Sequence, residues 1–255
     1  MATTALITGA SSGIGLELAR LMAADGVNLV LVARSRGKLH DLAASLGNVQ
    51  VHVVARDLAH PRVPQEIFDE LQEKSITVDW LVNNAGFGAH GKFSELSLPD
   101  QLEMMQVNMT ALVHLTHLFL PQMLARRSGH VMNVASTAAF QPGPLMAVYY
   151  ASKSFVLSFS EALANELSGS GVSVTCFCPG ATVTGFAQRA HMEGSRLFRM
   201  QAMDARTAAQ AGYEGMLRGQ TLVIPGLRNR VLAQSVRFSP RKLVTAVSRS
   251  LQERK

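Results

Sequence analysis

Tyr149 and Lys153 stand four residues apart in a stretch of helical character, so both side chains fall on one face, a turn apart. A phenol with its ordinary pKa near 10 is a poor proton donor or acceptor at neutral pH. A neighbouring ammonium favours the phenolate and is expected to bring that pKa toward the working range, which suits general acid–base chemistry. Tyr150 lacks such a partner, because Ser154 takes the place a lysine would need. Pairs of this kind also arise without any role, and spacing alone does not separate the two cases. Ser136 follows an apolar run ending at Ala135, where its hydroxyl could hold a carbonyl oxygen and stabilise charge developing there. Asn108 interrupts the apolar helical residues Met104, Met105, Val107 and Leu112. A buried amide needs partners, commonly water, and could anchor a proton relay; an ordinary helix-interior asparagine is the alternative.

A second constellation opens the chain. Thr8-Gly9-Ala10-Ser11-Ser12-Gly13-Ile14-Gly15 lies between a strand-like and a helix-like segment. Glycines there permit a tight turn and let backbone N–H groups approach a pyrophosphate, whose charge a helix N-terminus favours. A purely structural turn has the same composition, but the strand–turn–helix placement points to a dinucleotide. The glycine spacing, three residues and then one, differs from the commonest fingerprint. At the end of the next strand, where an acidic residue would grip the ribose diol of NAD, the chain reads Val32-Ala33-Arg34-Ser35-Arg36-Gly37-Lys38. Arg34 is suited to pair with a 2′-phosphate and to stack on adenine, so NADP(H) is expected, with a solvated basic turn as the alternative.

These residues need a scaffold, and the pattern supplies one. Apolar strand-like runs cover Ala5 to Thr8, Asn28 to Ala33, Val49 to Val54, Trp80 to Asn83, His130 to Ala135, Ser173 to Cys178 and Thr221 to Ile224. Between them fall helical segments over Ile14 to Asp25, Gly37 to Leu46, Val63 to Lys74, Leu98 to about Arg127 and Ala147 to Leu167, with Pro121 marking a kink or break. Strands that are solidly apolar belong to parallel sheets covered by helices on both faces. The expected fold class is α/β, a doubly wound parallel sheet of the Rossmann type in a single domain spanning 1–255.

Composition narrows the alternatives. Hydrophobic residues make up 47% and charged ones 16%, which excludes a disordered chain. Cys176 and Cys178, one residue apart in an apolar run, fit reduced core thiols rather than a disulfide or zinc site. The eight histidines lack ligand spacing, and no metal is expected. Neither a secretory leader nor a bilayer-length apolar run is present, so a cytoplasmic protein is the expectation. The net charge of +6 is concentrated in a basic C-terminal extension, about 226–255. That segment holds eight basic residues against Glu253, leaving about −1 for the other 225 residues. Within it, Ser239 and Pro240 read as N-cap and first residue of a helix with Leu243, Val244, Val247 and Leu251 on one side. That helix either meets an anionic membrane surface or packs on its own domain or a partner subunit. No motif accompanies the charge to support nucleic-acid binding.

Taken together, these residues resemble the short-chain dehydrogenase/reductase family, and the likeness runs over nearly the whole chain. Its opening glycine motif is similar to Thr8 to Gly15, and its NNAG motif to Asn83-Asn84-Ala85-Gly86. The resemblance implies an adenine contact at Asp57 and Leu58, and a catalytic set of Asn108, Ser136, Tyr149 and Lys153. It also implies contacts from Pro179, Gly180, Thr182 and Thr184 to the nicotinamide carboxamide and phosphates. Cofactor contacts are thus expected at Gly9, Ser11, Ser12, Gly13, Ile14, Gly15, Arg34, Asp57, Leu58, Asn84, Ala85, Gly86, Tyr149, Lys153, Pro179, Gly180, Thr182 and Thr184. Implied too is NADPH-dependent hydride transfer between nicotinamide and a carbonyl or secondary alcohol. Tyr149 would donate the proton, Ser136 hold the oxygen, Lys153 lower the tyrosine pKa and bind ribose, and Asn108 position water. A homodimer or homotetramer is expected from the family's pairing through two long helices. Substrate choice should lie in Phe87 to Phe93, Thr137 to Val148 and an apolar lid about 185–215, where Phe186, Met192, Leu197, Phe198, Met200 and Met203 hint at a lipophilic substrate. A non-catalytic NADP-binding sensor or scaffold and an NAD-dependent alcohol dehydrogenase are the alternatives.

Overall fold

A computed structural model describes residues 2–190, 192 and 202–253. Seven parallel strands form one sheet: β1 (Thr4–Thr8), β2 (Asn28–Ala33), β3 (Val51–Ala55), β4 (Trp80–Asn83), β5 (Gly129–Val134), β6 (Val172–Phe177) and β7 (Leu222–Val223). Their order is β3-β2-β1-β4-β5-β6-β7. The order therefore reverses between β1 and β4, which leaves a crevice at the carboxyl edge of the sheet. In register, Ile7 stands between Leu31 of β2 and Val82 of β4, which aligns the loops that follow these strands.

Helices cover both faces, as continuous apolar strands require. On one face α1 (Gly13–Ala24), α2 (Arg36–Ser45) and α8 (Ala205–Leu217) bury Leu18, Met22, Leu39 and Met216 against Ile7, Leu29 and Leu31. On the other, α3 (Val63–Glu73), α4 (Leu98–Met105), α5 (Ala111–Arg126) and α6 (Ala147–Glu166) cover Leu6, Val30, Leu81 and Val131 with Ile67, Met104, Leu115 and Phe119. Two shorter helices, α7 (Gly185–Arg189) and α9 (Leu227–Ser235), and a terminal one, α10 (Arg241–Gln252), complete the described chain. Among the described residues no helix is long and apolar enough to cross a membrane, and no cluster of metal-ligating side chains is present. Cys176 and Cys178 are buried free thiols, their sulfurs 3.7 Å apart.

Three expectations need correction. The long helix is interrupted not at Pro121, which lies inside a continuous α5, but by a π-helical turn over Gln106–Thr110. Proline deprives a helix of one hydrogen bond, and here Leu115, Phe119 and Met123 are buried around it and hold the helix together. Ser239 does not cap the terminal helix: its hydroxyl donates to the Ser235 carbonyl at 2.8 Å, and Pro240 takes the cap position. Nor does the segment expected as a lid, about 185–215, stand apart from the domain throughout. Met203 is bound back to the start of the excursion, accepting from Val183 N at 2.9 Å and donating to Ala181 O at 2.8 Å, and α8 beyond it packs in the core against α1. Phe186 and Met192 lie inside that excursion; Leu197, Phe198 and Met200 fall outside the described residues.

Candidate active site

The turn after β1 opens the crevice. Gly9 has φ +67° and Gly13 φ +55°, values that side-chain-bearing residues rarely adopt. A Cβ at Gly13 would come within 2.9 Å of Thr184 Cγ2, so the glycine holds open a narrow cradle between the N-terminus of α1 and the start of α7. Asn84, just past β4, braces the turn from behind. Its Nδ2 donates to Thr8 O at 2.8 Å and Gly9 O at 3.3 Å, while Thr8 Oγ1 accepts from the Asn84 and Ala85 N–H groups, both at 3.0 Å.

One cleft of about 570 Å³ runs along this edge. It is lined by Gly9, Ser11, Ser12, Gly13, Ile14, Arg34, Asp57, Leu58, Asn84, Ala85, Gly86, Pro179, Gly180, Thr182 and Thr184, together with Ser136, Tyr149 and Lys153. Gly15 and Asn108 do not line it. A Cβ at Gly15 would meet Asn84 Nδ2 and the Gly9 carbonyl, so that glycine permits the brace rather than touching the cleft. Asn108 sits in the π-helical turn, fully buried. Its Oδ1 accepts from Phe87 N at 3.1 Å, and its Nδ2 donates to Phe87 O at 3.0 Å and Ser152 Oγ at 3.1 Å. These bonds pin the loop after β4 to α6.

The acid–base pair differs in its electrostatics from the sequence expectation. Burial drives the Tyr149 phenol far above its ordinary range; hydrogen bonding with Ser136 opposes the rise, and Tyr150 and Cys178 add to it. Lys153 is buried as well. Burial lowers its own pKa to about 8, and its Nζ donates to Val134 O at 2.8 Å, 5.8 Å from the Tyr149 ring centre. Ser136 ends the loop from β5, its Oγ accepting from Ala138 N at 3.1 Å, so that the hydroxyl is held in place.

Further cleft residues were not legible from sequence. Lys38 and Arg56 join Arg34 at one end. Arg34 itself lies 3.8 Å from Asp57 and 3.9 Å from Glu103, and Glu103 is 3.7 Å from Arg189 of α7, whose guanidinium stacks 4.0 Å over the Phe87 ring. At the opposite end Gln252, from α10, is buried with its Nε2 donating to Tyr150 Oη, and His90 Nε2 meets the Gln252 carbonyl at 2.9 Å. The only signal for Glu103 and Arg189 was their charge. Gln252 carried no signal at all.

Open backbone N–H groups at a helix start, an unfilled cradle at Gly13 and cations at one end form a donor set and shape that fit a dinucleotide. The comparisons agree. The short chain dehydrogenase family model matches residues 3–193. Sulfoacetaldehyde reductase 2 of Chromohalobacter salexigens is 38% identical over 189 residues, 73% of this chain and 75% of that protein. A short-chain dehydrogenase from Sphingobium yanoikuyae, solved with NADPH, is 33% identical with a TM-score of 0.83, over 92% of this chain and 94% of that one. Another from Burkholderia phymatum, solved with NAD, is 26% identical with a TM-score of 0.84, over 100% and 98%. This chain therefore belongs to the short-chain dehydrogenase family of oxidoreductases, acting on carbonyl and alcohol groups through a nicotinamide cofactor.

Proposed function

We propose that this protein reduces ketones or aldehydes with NADPH, Tyr149 supplying the proton. The observation that carries the reading is one cleft with Ser136, Tyr149 and Lys153 at one end and Arg34, Lys38 and Arg56 at the other. Three cations where a carboxylate would take a ribose diol suit a 2′-phosphate. The Sphingobium protein is bound to NADPH, which agrees. An NAD-dependent alcohol dehydrogenase is the second reading, favoured by the nearness of Asp57 and Glu103 to Arg34 and by the NAD in the Burkholderia protein. A sensor or scaffold would have no need of the serine, tyrosine and lysine together.

Gly9, Ser11, Ser12, Gly13 and Ile14 would hold the pyrophosphate, Asp57 and Leu58 the adenine, and Asn84, Ala85, Gly86, Pro179, Gly180, Thr182, Thr184 and Lys153 the nicotinamide half. Once bound, the cofactor supplies the hydride. The protein's part is proton and charge management. With its pKa raised, Tyr149 stays protonated through neutral pH, so the proton is in place for the carbonyl oxygen that Ser136 holds. Lys153, charged below about pH 8, offsets the phenolate left behind. Asn108 acts as a positioning residue, fixing Phe87 and Ser152 around the site. Phe87, Met146, Phe186 and Met192 line the same cleft, which supports a lipophilic substrate. Exposed Leu98 and Leu102 on α4 and Phe155 on α6 support self-association through these helices.

A panel of ketones and alcohols run with NADPH/NADP and NADH/NAD, followed by absorbance, tests the reading. Turnover should favour NADPH, and Tyr149→Phe should bind NADPH by nucleotide fluorescence while kcat falls about 10²–10⁴-fold. Near-native turnover in that variant, or a preference for NADH, rejects the proposal.

A further inference from the structure

Beside the reacting phenol the main cleft is walled by apolar side chains. A Cβ added at Gly88 would meet Met146 Cε, Phe186 Cζ and Tyr149 Cδ2 at 2.8, 2.9 and 3.2 Å, so three separate segments converge there on the loop after β4. The Tyr149 and Phe186 ring centres lie 5.1 Å apart, and those of Tyr149 and Tyr150 6.0 Å apart. Met146, Tyr149, Tyr150, Phe186 and Met192 all line the cleft.

Gln252 lines it too, and is only 1% exposed. The terminal helix delivers this residue and holds it twice. Its backbone carbonyl meets His90 Nε2 at 2.9 Å, and its side-chain Nε2 donates to Tyr150 Oη. The other end of the same amide is different: Oε1 is buried and has no hydrogen-bond partner among the described residues. Buried polar atoms are nearly always paired, and turning this amide away would break its bond to Tyr150. A molecule in the cleft can complete the set.

The chemistry of that molecule follows from the atom. An amide oxygen only accepts, so its complement is a donor, and a carboxylate would meet repulsion. An ammonium could donate, but it would shed its water among methionines and aromatic rings, and a neutral amide does not repay that cost. A hydroxyl donates without carrying a charge.

We propose that Gln252 is a specificity-determining residue that accepts a hydrogen bond from a hydroxyl of the substrate, so that the substrate class is hydroxyketones or hydroxyaldehydes with an apolar spacer between the two oxygens. The spacer lies along Met146, Phe186 and Met192, and the carbonyl lies at Tyr149. This assignment rests on the reductase reading above for the carbonyl end.

The test uses linear methyl ketones of six to ten carbons, each ending in a methyl, a hydroxyl or a methyl ether, with NADPH. The ether can accept but not donate. At the length that spans from Tyr149 to Gln252, wild-type kcat/KM should favour the hydroxyl over both other ends by roughly 3–10-fold, the worth of one neutral hydrogen bond. Gln252→Met keeps the bulk and removes the acceptor, so it should use the hydroxyketone less well and the plain ketone better than the wild type does. If Gln252 merely holds the terminal helix in place, that variant instead loses all three substrates in proportion, and the proposal is overturned. Equal use of the three ends by the wild type at every length, or a preference for the ether, overturns it whatever the variant does. If no ketone is reduced, calorimetric titration of the same series reads the contact without turnover. Tighter binding of a hydroxyl member, lost in Gln252→Met, then sustains the contact and rejects only the reductase reading. Equal binding of all three ends rejects the contact.

Discussion

Lys153 is a buried ammonium with no carboxylate among its hydrogen-bond partners, and that costs stability. Its pKa falls from 10.5 to about 8 on folding because the charged form loses water and gains only the Val134 carbonyl in return. Below about pH 8 both folded and unfolded chains carry the proton, and the penalty, about 3 kcal/mol, is fully present. Between about pH 8 and 10.5 the unfolded chain binds more protons than the folded one, so the penalty shrinks as pH rises. Lys153→Met removes the charge but leaves Val134 O without its donor, which costs about 1–2 kcal/mol. The variant should therefore be more stable than the wild type at pH 7 by about 1–2 kcal/mol, and that advantage should vanish or reverse by about pH 10. Denaturant titrations of both proteins across this range measure it; an advantage that grows with pH contradicts the buried-ammonium account. A site that keeps a destabilising charge illustrates stability given up for function.

Most of the scaffold, and part of the site, can be read from single elements. The strand–turn–helix around Gly9 and the continuous apolar strands announce themselves locally, because glycine freedom and two-sided burial leave marks within a few residues. The pairing of Tyr149 with Lys153 is similarly local. What sequence does not carry is the contact between distant segments. Glu103 joins Arg34 to Arg189 across three parts of the chain, and the amide of Asn108 closes on Phe87. Burial is the other hidden quantity: the i, i+4 spacing implied a lowered tyrosine pKa, and desolvation reverses the sign. Gly15 shows how a motif residue can act through its neighbours. Its Cβ would strike Asn84 Nδ2 and the Gly9 carbonyl, displacing the brace that holds the turn. Gly15→Ala is expected to lose about 1–3 kcal/mol of stability and to bind NADPH at least tenfold more weakly. Thermal unfolding and nucleotide fluorescence report the two effects, and native-like affinity would show that the turn survives without its brace.

At the scale of the molecule, the sheet is complete at β7, yet the chain continues for thirty-two residues. That extension carries +7 where the whole chain carries +6, and α10 within it turns back onto the domain. Its inward face is not the apolar stripe expected from sequence. Ser248 and Gln252 are buried, Val244 and Leu251 partly so, while Leu243 and Val247 stand 57% and 52% exposed. The docking is polar and specific, through His90 and through Tyr150, which lines the cleft. A chain ending at residue 238 should therefore fold, since both faces of the sheet keep their helices, but should lose the two hydrogen bonds and the burial they accompany. The expected loss is about 2–3 kcal/mol, a Tm lower by roughly 4–12 °C for a chain of this size. Because Tyr150 would lose its partner at the wall of the cleft, KM for any carbonyl substrate should rise more than kcat falls. Were the truncated protein equally stable, with KM unchanged, α10 would have to be a passive appendage; a change in KM with Tm untouched would instead mean that it acts on the cleft without holding the fold.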